Sequence, residues 1–152
     1  MPNECENWVR ITGSPESLKA ILAKPFSMPE WIPKPENDHS DWILENWGTR
    51  WIAKYNATEQ DWHVELKEVE GGLEAFFESA WAPPIPFYNF LVKTFAGLVV
   101  EYEYSEWGIG FCGYGKGGEE PFHYSYHEKI SELPLIRKEH DWHLSLWHPH
   151  EE

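Results

Sequence analysis

The stretch Trp62-His63-Val64-Glu65-Leu66-Lys67-Glu68-Val69-Glu70-Gly71-Gly72-Leu73-Glu74-Ala75-Phe76-Phe77-Glu78-Ser79-Ala80 decides the fold class. Trp62, Val64 and Leu66 alternate with His63, Glu65 and Lys67, and Leu73, Ala75 and Phe77 alternate with Glu74, Phe76 and Glu78. Successive side chains of a strand point to opposite faces, so two such runs around Gly71-Gly72 read as a β-hairpin. A turn centred on the two glycines pairs Leu66 with Phe77 on the buried face. It pairs Lys67 with Phe76 and Glu65 with Glu78 on the other, so one register satisfies both patterns.

Upstream, Trp8 to Thr12 alternates as a strand and Gly13 ends it. Ser14 caps a helix with Pro15 at its first position, where the missing N–H costs nothing. Leu18, Ile21 and Leu22 form its apolar face, and the helix spans 15–24. Pro25, Pro29, Pro33 and Pro35 then exclude regular structure. Asp41 to Gly48 is compatible with a short helix or an extended segment. Downstream, Pro83-Pro84-Ile85-Pro86 opens a second helix over 84–96. Its stripe is Phe87, Phe90, Leu91 and Phe95, and Gly97 is its C-cap. Leu98, Val100, Tyr102 and Tyr104 alternate as another strand. Phe111–Tyr114 and Phe122–Tyr126 add two strands around a glycine-rich turn, and Trp142, Leu144 and Leu146 suggest an edge strand. The order β-α-insert-β-β-α-β followed by a hairpin is an α+β, ferredoxin-like βαββαβ plan with two helices on one face of an antiparallel sheet. The expected organisation is one domain over 1–128, with a Pro/Trp-rich insert at 24–61 and an extension at 129–152.

The chain has 152 residues, a size that buries a full core in one domain. Its 26 acidic against 12 basic residues give a formal net charge of −14. Nucleic-acid affinity comes largely from Lys and Arg neutralising phosphates, so direct DNA or RNA binding is not expected. No apolar run reaches the ~18–20 residues of a membrane span, and Met1–Glu6 lacks signal-peptide features; a cytoplasmic protein is the expectation. Two cysteines, Cys5 and Cys112, are too few for a disulfide framework.

Four pieces carry a resemblance: Pro2–Asn7 leading into Thr12-Gly13, Asn46-Trp47-Gly48-Thr49-Arg50-Trp51, Phe77–Pro84 with its Ala80-Trp81-Ala82-Pro83-Pro84, and Gly108-Ile109-Gly110-Phe111. In this order and spacing they resemble the YubB ferredoxin-like family of small plasmid- and phage-borne proteins, over residues 2–115. The resemblance implies a ferredoxin-like fold and no known catalytic residues. The name describes the fold, and two cysteines cannot supply the four thiolates of a usual iron–sulfur cluster. The chain departs from the family after Trp51, where Ile52 replaces an expected acidic residue.

Several motifs invite a chemical reading. Asn46, Trp47, Arg50, Trp51 and Trp81 either pack the insert onto the domain or wall a pocket that stacks a flat ligand such as a nucleobase. Gly110–Gly117 nearly spells a phosphate-binding loop, but Gly117 stands where Ser or Thr must hold magnesium, and a glycine-rich hairpin is expected instead. His123 and His127, His140 and His143, and His148 and His150 are spaced for imidazole ligation but lack Cys or acidic partners, and read as solvated. Cys112 has no base nearby to activate it. No cofactor or metal is expected, and catalysis is not expected.

The open sheet face then carries Glu65, Glu74, Glu78, Glu101 and Glu103, with Phe76, Trp8 and Arg10. RNA-binding domains of this plan use that face with aromatic and basic residues; here the sign is inverted. The expected function is an accessory protein of a mobile genetic element. It binds a basic host protein through the acidic face, as a nucleic-acid mimic or anti-defence factor. The alternative is a small-ligand or nucleotide-binding protein built on the Trp-lined pocket.

Overall fold

A computed structural model describes residues 4–36, 40–54, 64–106, 108 and 110–125. The elements run β1 (Glu4–Thr12), α1 (Pro15–Leu22), α2 (Met28–Trp31), α3 (Ser40–Asn46), β2 (Ile52–Lys54), β3 (Lys67–Val69), β4 (Gly72–Ala80), α4 (Ile85–Thr94), β5 (Val99–Glu106), β6 (Phe111–Lys116) and β7 (Phe122–Ser125). The sheet is antiparallel, ordered β2-β4-β1-β5-β6-β7, with β3 also on β4. Taking β2 and β3 as one interrupted strand, the order second-third-first-fourth is that of the ferredoxin-like plan, and β6–β7 extends the fourth strand's edge.

The pleat sorts the side chains. Cys5, Val9 and Ile11 of β1, Leu73 and Phe77 of β4, and Val100 and Tyr102 of β5 lie on one face and are buried. Ile21 of α1 and Phe87, Tyr88 and Leu91 of α4 complete that core. The Ser14 side chain accepts from the Ser17 N–H at 3.1 Å, satisfying one of the helix's orphan donors, with Pro15 following as expected. The helix stops at Leu22, whose side chain is exposed rather than part of the stripe. Tyr88, absent from the anticipated stripe of α4, is fully buried, whereas Phe90 and Phe95 are half-buried.

The hairpin forms, but in a different register. Lys67 faces Glu74 and Val69 faces Gly72, so the turn falls on Glu70-Gly71. Gly71 takes φ +78°, whereas Gly72 has joined β4. A Cβ on Gly72 would stand 2.4 Å from the Ile11 carbonyl oxygen, so this glycine serves the close approach of β1 rather than the turn. Leu66 and Phe77 therefore do not pair; Phe77 faces Asn7 and Lys54. The shift of two residues preserves which side chains share a face, so the alternation held while the pairing did not. The opposite end of β4's edge is taken by β2. Ile52 faces Ser79 and Lys67 faces Glu74, fifteen residues against five, so ten extra residues separate β2 from β3 along the chain.

The proline-rich segment holds a one-turn helix, α2, correcting the expectation of no regular structure. Pro29 sits within its first two positions, where an N–H is not needed. Residues 41–46 are helical, settling the open choice there. Phe26, Met28 and Trp47 enter the core, with Trp31, Ile32, Trp42 and Ile43 packed against it. The anticipated strand at Trp142–Leu146 and the histidines beyond residue 125 lie outside the described residues.

Candidate functional site

The two tryptophan motifs meet as a scaffold. Trp47 is buried, donates its indole N–H to the Ile32 carbonyl at 2.9 Å, and meets Trp42 edge-on at 5.7 Å. Gly48 has φ +87°, and a Cβ there would be 2.5 Å from Pro86 Cδ, so residue 48 must be glycine for the α3–β2 connection to cross the start of α4. Thr49 Oγ1 donates to the Ala80 carbonyl at 2.6 Å and Ser79 Oγ to the Ala82 carbonyl at 2.6 Å, while Asn7 Nδ2 donates to Ser79 Oγ at 2.8 Å. These buried donors satisfy backbone carbonyls that the turn at 80–82 removes from water. Asn46 spends its amide on the Trp42 carbonyl, Trp51 is half-buried and Arg50 is exposed. Trp81 is 45% exposed at φ +69°, on a three-residue turn closed by the Ala82 N–H to the Ala80 carbonyl. Trp47 therefore takes the packing role and is withdrawn from any open pocket.

On the face opposite α1 and α4, the acidic residues part company. Glu74 sits across from Arg10, forming an ion pair in which Nε donates at 2.8 Å, and Arg10 also lies 5.5 Å over the Trp8 ring. Glu78 and Glu103, expected on a wet surface, are buried. Glu78 lies inside the sheet between Glu6 and Ala53, not across a hairpin from Glu65, and Glu103 is flanked by Trp8 and Tyr114. Both have interaction partners. Glu65 is exposed and lines a cleft of about 420 Å³ beside the end of α1, with Leu22, Lys24 and Phe26.

Glu101 contributes to a concave site of about 280 Å³ at the β5–β6 end of this face. Its walls are Trp8, Tyr114 and Phe122, and its rim is Glu101, Glu119 and Glu120, with Glu103 behind and Lys116 as the one lining cation among the described residues. Tyr114 and Phe122 stack at 5.1 Å and 22°, and Phe122 is 56% exposed. The β6–β7 turn brings Glu119 and Glu120 here. Read only as residues that break a phosphate-binding loop, they were missed as site residues; their position in a hairpin tip beside Glu101 was the available signal. Tyr102 borders the site from the strand beside Glu101 and Glu103, but its ring lies on the opposite, helix-covered face, stacked on Tyr88, and its hydroxyl is buried there without a hydrogen-bond partner. Burial first, and then the Glu120 and Glu119 carboxylates, push its phenol up to about 12. A cluster of carboxylates between aromatic faces can hold a cation, by Coulomb attraction and by the rings' negative faces.

The glycine-rich run is a hairpin, as expected, and its glycines make room for tyrosines. Tyr88, Tyr102 and Tyr104 stack at 4.9 Å and 6.2 Å, and Tyr104 continues onto His123 at 5.7 Å, with its hydroxyl 2.7 Å from Nδ1. Gly113 and Gly115 lie beneath these rings. Cys5 is fully buried, and its thiol is pushed well up, first by burial, against the opposing pull of the Ser79 hydrogen bond. Neither Cys5 nor Cys112 is in a disulfide, and both are buried.

A family model described as a ferredoxin-like domain in Api92-like protein matches residues 51–133, more than half of the chain. The match starts just before β2 and takes in β2 to β7, leaving the central strand β1 outside it. Neither the curated proteins nor the solved structures yielded a match. Among the described residues, no helix is long and apolar enough to cross a membrane.

Proposed function

From the premise that this chain belongs to the family of ferredoxin-like domains in Api92-like proteins, we propose that it is a non-catalytic binding protein that takes a basic partner protein at the acidic end of its open sheet face. The observation that carries this reading is the concave site itself, where among the described residues four carboxylates stand against one ammonium between aromatic walls. Like charges gathered in a concave, partly apolar place focus their field outward and raise the rate at which oppositely charged partners arrive. The overall charge of −14 acts in the same direction and repels duplex nucleic acid. The Cys5 thiol, held protonated by burial, is a poor nucleophile, which fits binding better than catalysis. The kinship to the YubB family, and with it a role as an accessory of a phage or plasmid acting on a host protein in the cytoplasm, rests on the motif pieces around Trp47 and Trp81. Trp47 is scaffold and Trp81 stands exposed on its turn, so these pieces support kinship without naming a ligand.

The test is binding of a labelled lysine- and arginine-rich peptide at low and physiological ionic strength, with duplex DNA as the control. Exposed charges act over a Debye length of ~8 Å at physiological salt, so the expected result is peptide binding that weakens as salt rises, and no DNA binding. Replacing Glu101, Glu119 and Glu120 together by Gln should slow association more than it speeds dissociation. Peptide binding that is indifferent to this triple replacement would remove the proposal.

A further inference from the structure

We infer that the concave site between Trp8, Tyr114 and Phe122 is a receptor for a single arginine side chain presented by the partner. The inference rests on the basic-partner reading and adds the chemistry of the group that is read. Three features separate it from a merely acidic surface. The site is small: at about 280 Å³ it falls below the ~300–1,000 Å³ of sites for drug-sized ligands and suits one side chain. Its walls are flat rings, and Phe122 keeps 56% of its surface exposed although Tyr114 stacks on it. Its rim places Glu119 and Glu120 in sequence at the hairpin tip, with Glu101 across from Lys116 on the neighbouring strands.

A planar guanidinium stacks on an aromatic face and forks its donors toward carboxylates; a lysine ammonium is a compact, strongly hydrated point charge that gains less from the ring. The molecule already uses this chemistry on the same face. The Arg10 guanidinium lies over Trp8 while pairing with Glu74. Trp8 is thus an aromatic wall shared between an internal arginine and the site.

The experiment is an NMR titration of the intact protein with three short, otherwise neutral peptides that differ at one central residue: arginine, lysine or citrulline. The expected order is arginine tighter than lysine, with citrulline, which keeps the shape and loses the charge, showing no saturable binding. An exposed cation–π contact corresponds to roughly a two- to fivefold change in affinity, so Phe122→Ala should weaken the arginine peptide by about that factor and bring it level with lysine. Glu119→Gln with Glu120→Gln should weaken both charged peptides. If arginine and lysine bind equally, and both depend on the glutamates but not on Phe122, the arginine receptor is refuted while the acidic-surface reading stands. If neither charged peptide binds and the basic peptide of the preceding test also fails, both are refuted.

Discussion

Gly113→Ala should destabilise the domain by about 2 kcal/mol, and the cost should be coupled to Tyr104. A Cβ built on Gly113 stands 2.3 Å from Tyr104 Oη, 2.4 Å from its Cζ and 2.6 Å from the Phe122 carbonyl oxygen. Carbon atoms in contact prefer ~3.5–4.0 Å, so the ring must move by about an ångström or β7 must shift. The ring is held by Tyr102 on one side and His123 on the other, and by the 2.7 Å bond to His123 Nδ1. Overpacking of this kind costs ~1–3 kcal/mol, and a lost hydrogen bond ~0.5–1.5 kcal/mol. Alanine's narrower unfolded ensemble returns ~0.4–1 kcal/mol, leaving about 2 kcal/mol. Equilibrium urea unfolding followed by tryptophan fluorescence measures it: with a slope of ~1–3 kcal/mol/M the midpoint should fall by roughly 1 M. In a Tyr104→Ala background the same substitution should cost at least ~1 kcal/mol less, a coupling within the usual range for touching residues. The part that persists belongs to the Phe122 carbonyl. An unmoved midpoint, or the same cost in both backgrounds, would refute the idea that these glycines exist to seat the tyrosines.

Trp47→Ala should cost ~3–5 kcal/mol, read as lost thermal stability, because it empties a buried site. At Trp81, whose φ is +69°, the glycine variant should be more stable than the alanine variant by ~1–2 kcal/mol, since both lose the ring but only alanine keeps the steric cost. Tyr102, pushed up to about 12, is protonated in the folded state where the unfolded chain has begun to ionise. The stability it contributes is therefore complete below pH ~10 and lost as pH rises toward the folded value. Tyr88 and Tyr104 are raised in the same direction, chiefly by burial, so tyrosinate absorbance should rise together with loss of near-UV circular dichroism. Glu78→Lys or Glu103→Lys should lower the melting temperature sharply, because each puts an ammonium in a buried place, whereas Glu119→Lys or Glu120→Lys should leave it unchanged.

The fold was legible because its signals are local. Ser14-Pro15 marks a helix start wherever it sits, and Leu98 to Tyr104 alternates whatever lies beside it. The strand order follows from the order of elements and the rules of connection. Register was not legible, because it depends on a partner strand distant in sequence. Gly72 looks like a turn residue until β1 is seen to pass 2.4 Å from where its Cβ would be. The same gap misplaced the acidic site. Glu74 looked free until Arg10 faced it across the β1–β4 ladder, and Glu78 looked exposed until β2 closed the edge beside it. Glu119 and Glu120 were visible as charges, yet only the β6–β7 hairpin brings them to Glu101. For Trp47 the sequence left two roles open, packing the insert or walling a pocket, and what decides for packing, its bond to Ile32 fifteen residues earlier, was not legible.

The most direct test of the proposed role is amide chemical-shift mapping of the intact protein during titration with the lysine- and arginine-rich peptide. The largest shifts should fall on Glu101, Lys116, Glu119, Glu120 and Phe122, vanish at high salt, and spare the β3–β4 turn at Glu68–Gly71, which is acidic but lacks the aromatic walls. Equal shifts at that turn, or shifts centred on Arg50 and Trp81, would contradict the account.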